Sequence, residues 1–584
     1  MKTILLIFCI TLISSNCLSQ IIENYPFKTF LDEENNLYVS GNKFNSATNS
    51  IDILTEKYNS HGNNIYSEFF PNISGIDKGL DLYIDDLGKA FITGFIFNNL
   101  TNSNDIIIIS LNPDGTTNWS KIYSSPGEDK GLGIDISTDA NGFATEVYIS
   151  GYISNPLTGK DFIVKKLDAT NGDSIWQSIF PFPGDQVATD IILDAGYAYV
   201  AGYTYGEGES TSDIMIQSYD KQNGGLHDNH VYQKAGSNEK PTGFCVPFPS
   251  GDPISKSRSA ITSITDEIIN NNVRTSYLTV CFDPDLNNDL APKWVRETMV
   301  DNEFSQNIPT AITSDYSGDI YVTGYMYNPM FGAIGSAGYD FATVKYSQNT
   351  GGDLWNMNPL FINYNDTSST GVDDKATSIK VNDEKRIFIA GTSQGSPNGY
   401  SIAVIDQHVQ NPNPVERYKK PFVPNFLSDG RTSDDLNKWA TLEMTSDGTP
   451  IMIVMGWNET EAHWAAVKYD QSGNVEYTIN NEPETSSNAV TKNSETPKLI
   501  SVKNYPNPFN PATQLEFRIS ELGFVTLKVY DMMGREVETL VNESKNAGSH
   551  TVTFDGRNLS SGVYYYTISI GGIRMETKSM MMMK

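Results

Sequence analysis

The residues whose types and spacing come nearest to chemistry are Asp283, Asp285, Asn287 and Asp289, in the run Asp283-Pro-Asp285-Leu-Asn287-Asn-Asp289. Oxygen ligands at alternate positions of a loop suit calcium, as in an EF-hand loop. Two departures stand against that reading: Asn288 where the loop wants Gly, and Trp294 where a bidentate Glu would sit. The run also falls on a turn that is rich in Asp, Asn and Gly in every related segment. Ordinary turn chemistry is therefore the leading reading and calcium the alternative. His227 and His230 (HDNH) suggest a metal pair, but His227 lies 25 residues after Gly202, where related segments place Trp or Tyr. That spacing favours a packing or turn histidine. His463 likewise takes the place of a recurring Asp, six residues before Tyr469. The chain has no HExxH and no cysteine–histidine pairing that would support zinc or cysteine-based nucleophilic catalysis. Among 70 Asp and Glu no acid–base pair can be singled out. No catalytic residue is assigned, and calcium is the only cofactor considered.

Composition limits the partners. The 584 residues exceed one ordinary core, so several domains or a repeat array are expected. A net charge of −29 argues against nucleic acid and suits solubility outside the cell. With 39% hydrophobic and 19% charged residues, 46 Gly and 31 Tyr, the chain suits short strands and many turns. Residues 1–19 read as a signal peptide: Lys2, an apolar run from Ile4 to Ile13, and a small-residue exit at Cys17-Leu18-Ser19. Cys17 offers lipid attachment as an alternative, which Ser15-Asn16 fit poorly. Beyond this leader only Cys245 and Cys281 remain, so no disulfide framework is expected. No later stretch is long and apolar enough for a transmembrane helix.

The elements that must position any site come from one recurring unit. Its clearest copy is DYSGDIYVTGY at 315–325: a turn from Asp315 to Gly318, then a strand ending at Gly324. Other copies end at Gly41, Gly94, Gly151, Gly202, Gly391 and Gly456. An Asp-led strand follows each glycine strand, with Tyr or Leu six residues on: Asp52 to Tyr58, Asp105 to Leu111, Asp161 to Leu167, Asp213 to Tyr219 and Asp340 to Tyr346. A turn such as TNGD at 170–173 leads to a fourth strand, with an aromatic 25 residues after the glycine at Tyr66, Trp119 and Trp176. The glycine intervals are 53, 57, 51, 122, 67 and 65 residues, so the long one holds a further copy. Its strands are GFCVPFPSG (243–251), SAITSITDE (259–267), TSYLTVCFDPD (275–285) and PKWVRE (292–297). That places Cys245 on a first strand and Cys281 on a third.

Four strands joined by tight turns cannot bury both faces alone, and stacking such sheets around an axis covers them. The expected fold is all-β: an eight-bladed β-propeller over 20–480, with seven blades as the alternative. The units resemble the SBBP-type β-propeller repeat of secreted bacterial proteins, with its D-x-x-G-x-x-Y-V-x-G signature. That resemblance implies a fold and little chemistry.

Residues 481–502 are polar and read as a linker. From Lys503, alternating runs such as Leu515-Glu516-Phe517-Arg518-Ile519 and Val525-Thr526-Leu527-Lys528-Val529-Tyr530 predict a small Ig-like β-sandwich over 503–584. This module resembles the type A C-terminal sorting domain of the Bacteroidetes type IX secretion system. The matching residues are Tyr505, Pro506, Asn507, Pro508 and Phe509 with the following Asn510-Pro511, then Val529-Tyr530-Asp531 with Gly534, Ser561-Gly562-Val563-Tyr564, and the terminal Lys578 to Lys584. Four consecutive methionines at 580–583 depart from the family's alternation. The resemblance implies handling by the type IX machinery, passage through the periplasm and outer membrane, and removal of the module. The favoured function is a surface or released module that binds or scaffolds an extracellular glycan or protein. The alternative is a polysaccharide hydrolase or lyase with an acidic site at the propeller axis.

Overall fold

A computed structural model describes residues 27–583 apart from 46–49, 71–74, 195, 207–210, 235, 247–258, 270–271, 283–291, 300–305, 328–337, 356–358, 363–372, 394–398, 407–414, 425–436, 458–461, 482–498, 520–522, 532–534, 546–547, 558 and 571–572. The signal segment, the run 283–289, Gly534 and Lys584 lie outside the described residues, as does nearly all of the polar linker. Every described element is a strand. The chain divides into Met1–Pro483 and Glu484–Lys584.

The first unit holds eight four-stranded antiparallel sheets among the described residues, each built from four consecutive strands. We number them sheets 1 to 8 along the chain: 27–70, 78–123, 130–180, 186–232, 239–298, 308–362, 374–422 and 437–481. The recurring unit explains each one. In sheet 6, Asp315 Oδ1 accepts the N–H groups of Ser317 (2.9 Å) and Asp319 (3.1 Å), which closes the first turn. Tyr321 donates its hydroxyl to Asp315 Oδ2 at 3.0 Å, and Lys345 reaches Asp319 at 3.0 Å. The glycine of the second strand is a close-approach residue. A Cβ on Gly94 would run into the Lys78 carbonyl, and one on Gly324 into that of Ile308, where the first strand bulges.

Adjacent sheets are joined by an aromatic side chain lying on the next sheet's turn. Trp119 of sheet 2 covers Gly172 of sheet 3, where an added Cβ would sit 2.6 Å from the indole, and donates Nε1–H to Ala169 O at 3.0 Å. Gly172 has φ +73°, so the turn itself also requires glycine. Trp176 meets Gly224, Trp294 meets Gly351, Tyr66 meets Gly115 and Tyr418 meets Gly473 in the same way. The indoles of Trp176 and Trp294 donate to Lys221 O and Gln348 O, the residues that correspond to Ala169. Trp355 of sheet 6 is buried on Tyr321, and the turn it would cover lies outside the described residues.

The succession returns on itself. Tyr477 of sheet 8 covers Gly62 of sheet 1. Leu37, Val39 and Tyr58 share a core with Ile451, Ile453, Met455 and Trp464. Trp464 donates Nε1–H to Glu56 at 3.1 Å.

The seven glycines, the recurring Asp and its Tyr or Leu fall on second and third strands as expected. So do the four strands of the diverged copy. One expectation needs correction. In sheet 4 the third-to-fourth turn is one residue longer than in sheets 1 and 2, and the bulge shifts the pairing. Asp228, not His227, therefore stands where Trp119 and Trp176 stand.

The second unit is a β-sandwich. Strands Leu499–Tyr505, Ala512–Ile519 and Gly548–Asp555 form one sheet, and Glu536–Lys545, Gly523–Tyr530, Gly562–Ile570 and Ile573–Met582 the other. The first strand begins at Leu499, inside the stretch that reads as linker by composition. Both sheets contribute to one core of Val502, Phe517, Phe554, Val525, Leu527, Tyr566 and others. Met580 and Met582 are buried in it while Met581 and Met583 are exposed, so the methionine run keeps the strand alternation despite its uniform chemistry.

Cys245 pairs across from Ala260, which pairs across from Cys281, so the two cysteines share a row one strand apart. Both are buried free thiols. Two strand spacings are about 9–10 Å, beyond the roughly 7 Å Cα limit of a disulfide. Thiol titration of the secreted protein should therefore find both cysteines reactive only after unfolding; a mapped Cys245–Cys281 disulfide would contradict the register. Trp119→Ala should cost about 3–5 kcal/mol, the usual range for deleting a buried indole. A denaturation midpoint unchanged by that substitution would remove the aromatic joint from the account.

Candidate functional site at the ring axis

The first strands of successive sheets pack on one another all the way round, and that of sheet 8 packs on that of sheet 1. They therefore line the inside of the ring. Four acids and a lysine meet there from sheets 1, 2, 3, 4 and 8. Lys28 Nζ lies 3.7 Å from Asp81 Oδ1, and its side chain is half exposed although protein surrounds it. The Asp81 charge is the main influence raising the Lys28 pKa, against the opposing effect of burial. Asp190 and Glu443 add to the same field. Thr29 donates to Glu443 Oε1 at 2.7 Å, and Lys380 approaches Glu443 Oε2 at 3.7 Å.

The carboxylates differ in how they are held. Asp81 Oδ2 accepts the Ile134 N–H of sheet 3 at 2.9 Å, and Asp135 Oδ2 accepts the Leu193 N–H of sheet 4 at 2.8 Å. Each thus ties its inner strand to the next. Asp190 accepts only its neighbour's N–H, from Ile191 at 2.8 Å, among the bonds described. Burial, then the Asp81 charge, pushes Asp190 up to about 7, with Lys28 opposing. Burial likewise pushes Asp135 up to about 6, against the backbone donors that hold it down. The site can hold or give up one proton near neutral pH at Asp190, beside a fixed ammonium. Asp81 and Asp135 are occupied by backbone donors, and Glu443 by the Thr29 hydroxyl.

None of these residues stood out in the sequence. Asp81, Asp135 and Asp190 each lie 12 to 16 residues before a recurring glycine, but so do many neutral residues, and only the ring brings them together. His227 is exposed, packs at a tilt against Tyr197 (4.6 Å between centroids) and contacts Asp228 Oδ2 at 2.7 Å. His230 faces Phe282 of sheet 5 at 5.5 Å. The two rings thus pack against different partners, Tyr197 of sheet 4 and Phe282 of sheet 5; among the described residues no group of three or more His, Cys, Asp or Glu could hold a metal ion. His463 pairs opposite Gly456, and its side chain lies outside the described residues.

In the second unit, Phe509 and Tyr564 are buried and Tyr505 is 80% exposed. Thr513 donates to Pro506 O at 2.7 Å, and Asn507 Oδ1 accepts the Met581 N–H at 2.8 Å. Tyr564 donates to Ser560 O at 2.9 Å, two residues before Gly562. Asn507 and Phe509 thus fix the loop before the second strand against the last strand.

Stability should carry the signature of Asp190. A carboxyl whose folded pKa is raised favours the folded state below that value, and the contribution is lost as pH rises from about 4 through about 7. Asp190→Asn, a mimic of the protonated form, should raise the melting temperature relative to wild type near pH 8 and leave it unchanged near pH 4. An equal shift at both pH values would mean that Asp190 does not titrate there.

Residues 503–582 match the family model described as "Secretion system C-terminal sorting domain". No curated protein matches the chain. Among solved structures, the β-propeller domain of the Trilobed protease from Pyrococcus furiosus is 10% identical (66% of this chain, 94% of that chain, TM-score 0.34). A polysaccharide lyase of family PL25, an ulvan lyase, is 10% identical (78% and 93%, TM-score 0.36). An α-L-arabinanase from Penicillium chrysogenum is 11% identical (65% and 92%, TM-score 0.33). Likeness at that level carries no functional argument. Among the described residues no helix is long and apolar enough to cross a membrane. The chain carries a type IX C-terminal sorting domain, which marks it for export to the cell surface or for release.

Proposed function

We propose that the chain is an exported eight-bladed β-propeller that binds or scaffolds an extracellular glycan or protein, delivered by an Ig-like sorting module that is then removed. The count of eight is supported by eight four-stranded sheets and by the packing of the last on the first, which leaves no sheet as an insertion. The observation that carries binding over catalysis is the commitment of the axial acids. Asp81 and Asp135 spend their carboxylates on the neighbouring sheets' N–H groups, which favours a structural over an acid–base role for them. The second reading, a hydrolase or lyase, rests on Asp190, whose near-neutral pKa suits a proton donor.

Glycan and protein arrays probed with the secreted protein, run beside a polysaccharide-degradation assay, separate the two. Binding without product release is expected. Release of oligosaccharide that Asp190→Asn abolishes would overturn the binding reading.

Export gives a further expectation. Deleting 503–584 should leave a folded propeller in the periplasm of the native host, since the sheets form their own core. Surface protein should end near 480–505 and lack Val563-Tyr564-Tyr565. A truncated chain that still reaches the surface would refute the delivery role.

A further inference from the structure

The recurring Asp that opens the third strand lies beside the start of the next sheet, and four such joints bury a pair of acids. Asp52 with Asp77 (sheets 1 and 2) and Asp340 with Asp374 (sheets 6 and 7) are two of them, and the other two carry the inference that follows. Between sheets 2 and 3 the pair is Asp105 (1% exposed) and Asp129 (0%). Between sheets 4 and 5 it is Asp213 (6%) and Glu239 (0%), at the same two positions of the repeat. The Asp129 N–H bonds Asn104 O at 2.8 Å, which brings the two chains together beside Asp105. Asp129 and Glu239 are both pushed up, first by burial and in part by the facing acid, which places each pair within electrostatic reach.

Each joint also holds a buried carboxylate oxygen with no hydrogen-bond partner. Asn98 donates to Asp105 Oδ2 at 2.7 Å, and Asp105 Oδ1 is left over. Thr265 and Ser237 both donate to Glu239 Oε1, and Glu239 Oε2 is left over. Two buried carboxylates side by side cost several kcal/mol per ion unless a positive species lies between them. The joint between sheets 5 and 6 supplies the contrast: Ser276 and Asn307 occupy the same two positions, and Asn307 donates directly to Thr275 Oγ1 and O, both at 2.8 Å.

We propose that the Asp105–Asp129 and Asp213–Glu239 joints are divalent-cation sites of the calcium class, in which an oxygen-ligated ion ties each sheet to the next. Hard carboxylate and carbonyl oxygens are the ligands calcium takes, and extracellular modules bind it at about 10⁻⁴–10⁻³ M. An exported chain meets calcium at such concentrations, and sites of this kind load after export.

The test is equilibrium dialysis and thermal melting of the full-length protein in calcium or chelator at about pH 7.5, spanning the ~10⁻⁴–10⁻³ M range. Wild type should bind calcium and melt higher in it. Asp105→Ser/Asp129→Asn, copied from the neutral joint, should lose one ion and part of the calcium-dependent rise. Asp213→Ser/Glu239→Asn should lose another. Asp283→Ala/Asp285→Ala, in the separate acidic run, should leave both losses in place. If the double variants bind as many ions as wild type, the joints are not the sites. A wild type that ignores calcium but gains stability on acidification would assign a shared proton to each pair instead, and the proposal fails.

Discussion

The ring depends on an aromatic ring laid over a glycine turn. One four-stranded sheet cannot bury both of its faces, so each must be covered by its neighbours, and the twist between them leaves a gap at the outer strands. The side chains of Tyr66, Trp119, Trp176, Trp294, Tyr418 and Tyr477 fill that gap, each on the next sheet's turn. Glycine is needed beneath them twice over, for the left-handed backbone and for the room the aromatic takes. The indole N–H then finds a fixed carbonyl two residues past the third strand's Tyr or Leu, so the contact sets the spacing as well as the burial. Because Tyr477 makes it to Gly62, the same contact that joins neighbours also joins the ends.

Much of this was legible in the sequence because the constraints are local. The strand glycine marks a close approach to a bulged carbonyl, and the turn Asp caps its own turn and receives a Tyr hydroxyl, so both leave a fixed spacing behind. The diverged copy hid because Ser263 stands where the other sheets have glycine. His227 was misplaced because a turn longer by one residue shifts the register without altering the count from Gly202. That Cys245 and Cys281 lie on first and third strands was readable, since strand order alone determines it; the row they share through Ala260 is a matter of register.

The axial site was not legible, for a physical reason. Asp81, Asp135 and Asp190 sit on first strands, where no turn or close approach fixes residue type. Their proximity comes from the stacking of successive sheets, and Glu443 joins them only by ring closure over more than 400 residues, as the Thr29–Glu443 bond illustrates. Their chemistry is likewise a property of the assembly: the same side chain is a strand tie at Asp135 and a near-neutral acid at Asp190. Acidity in this chain thus has three settings. It is solvated on the surface, bonded to backbone at the axis, and paired in the joints between sheets.

Ring closure is the claim on which the axis and the joints both rest, and a distance measured between the two ends of the array tests it most directly. Nitroxide labels on the exposed residues just before the outer-strand aromatics, Ile65 of sheet 1 and Glu476 of sheet 8, report that joint, and labels on Ile65 and Asn118 of sheet 2 report an ordinary one. The account predicts that electron–electron resonance gives both pairs the same short separation. A separation between sheets 8 and 1 well beyond that between sheets 1 and 2 would contradict it.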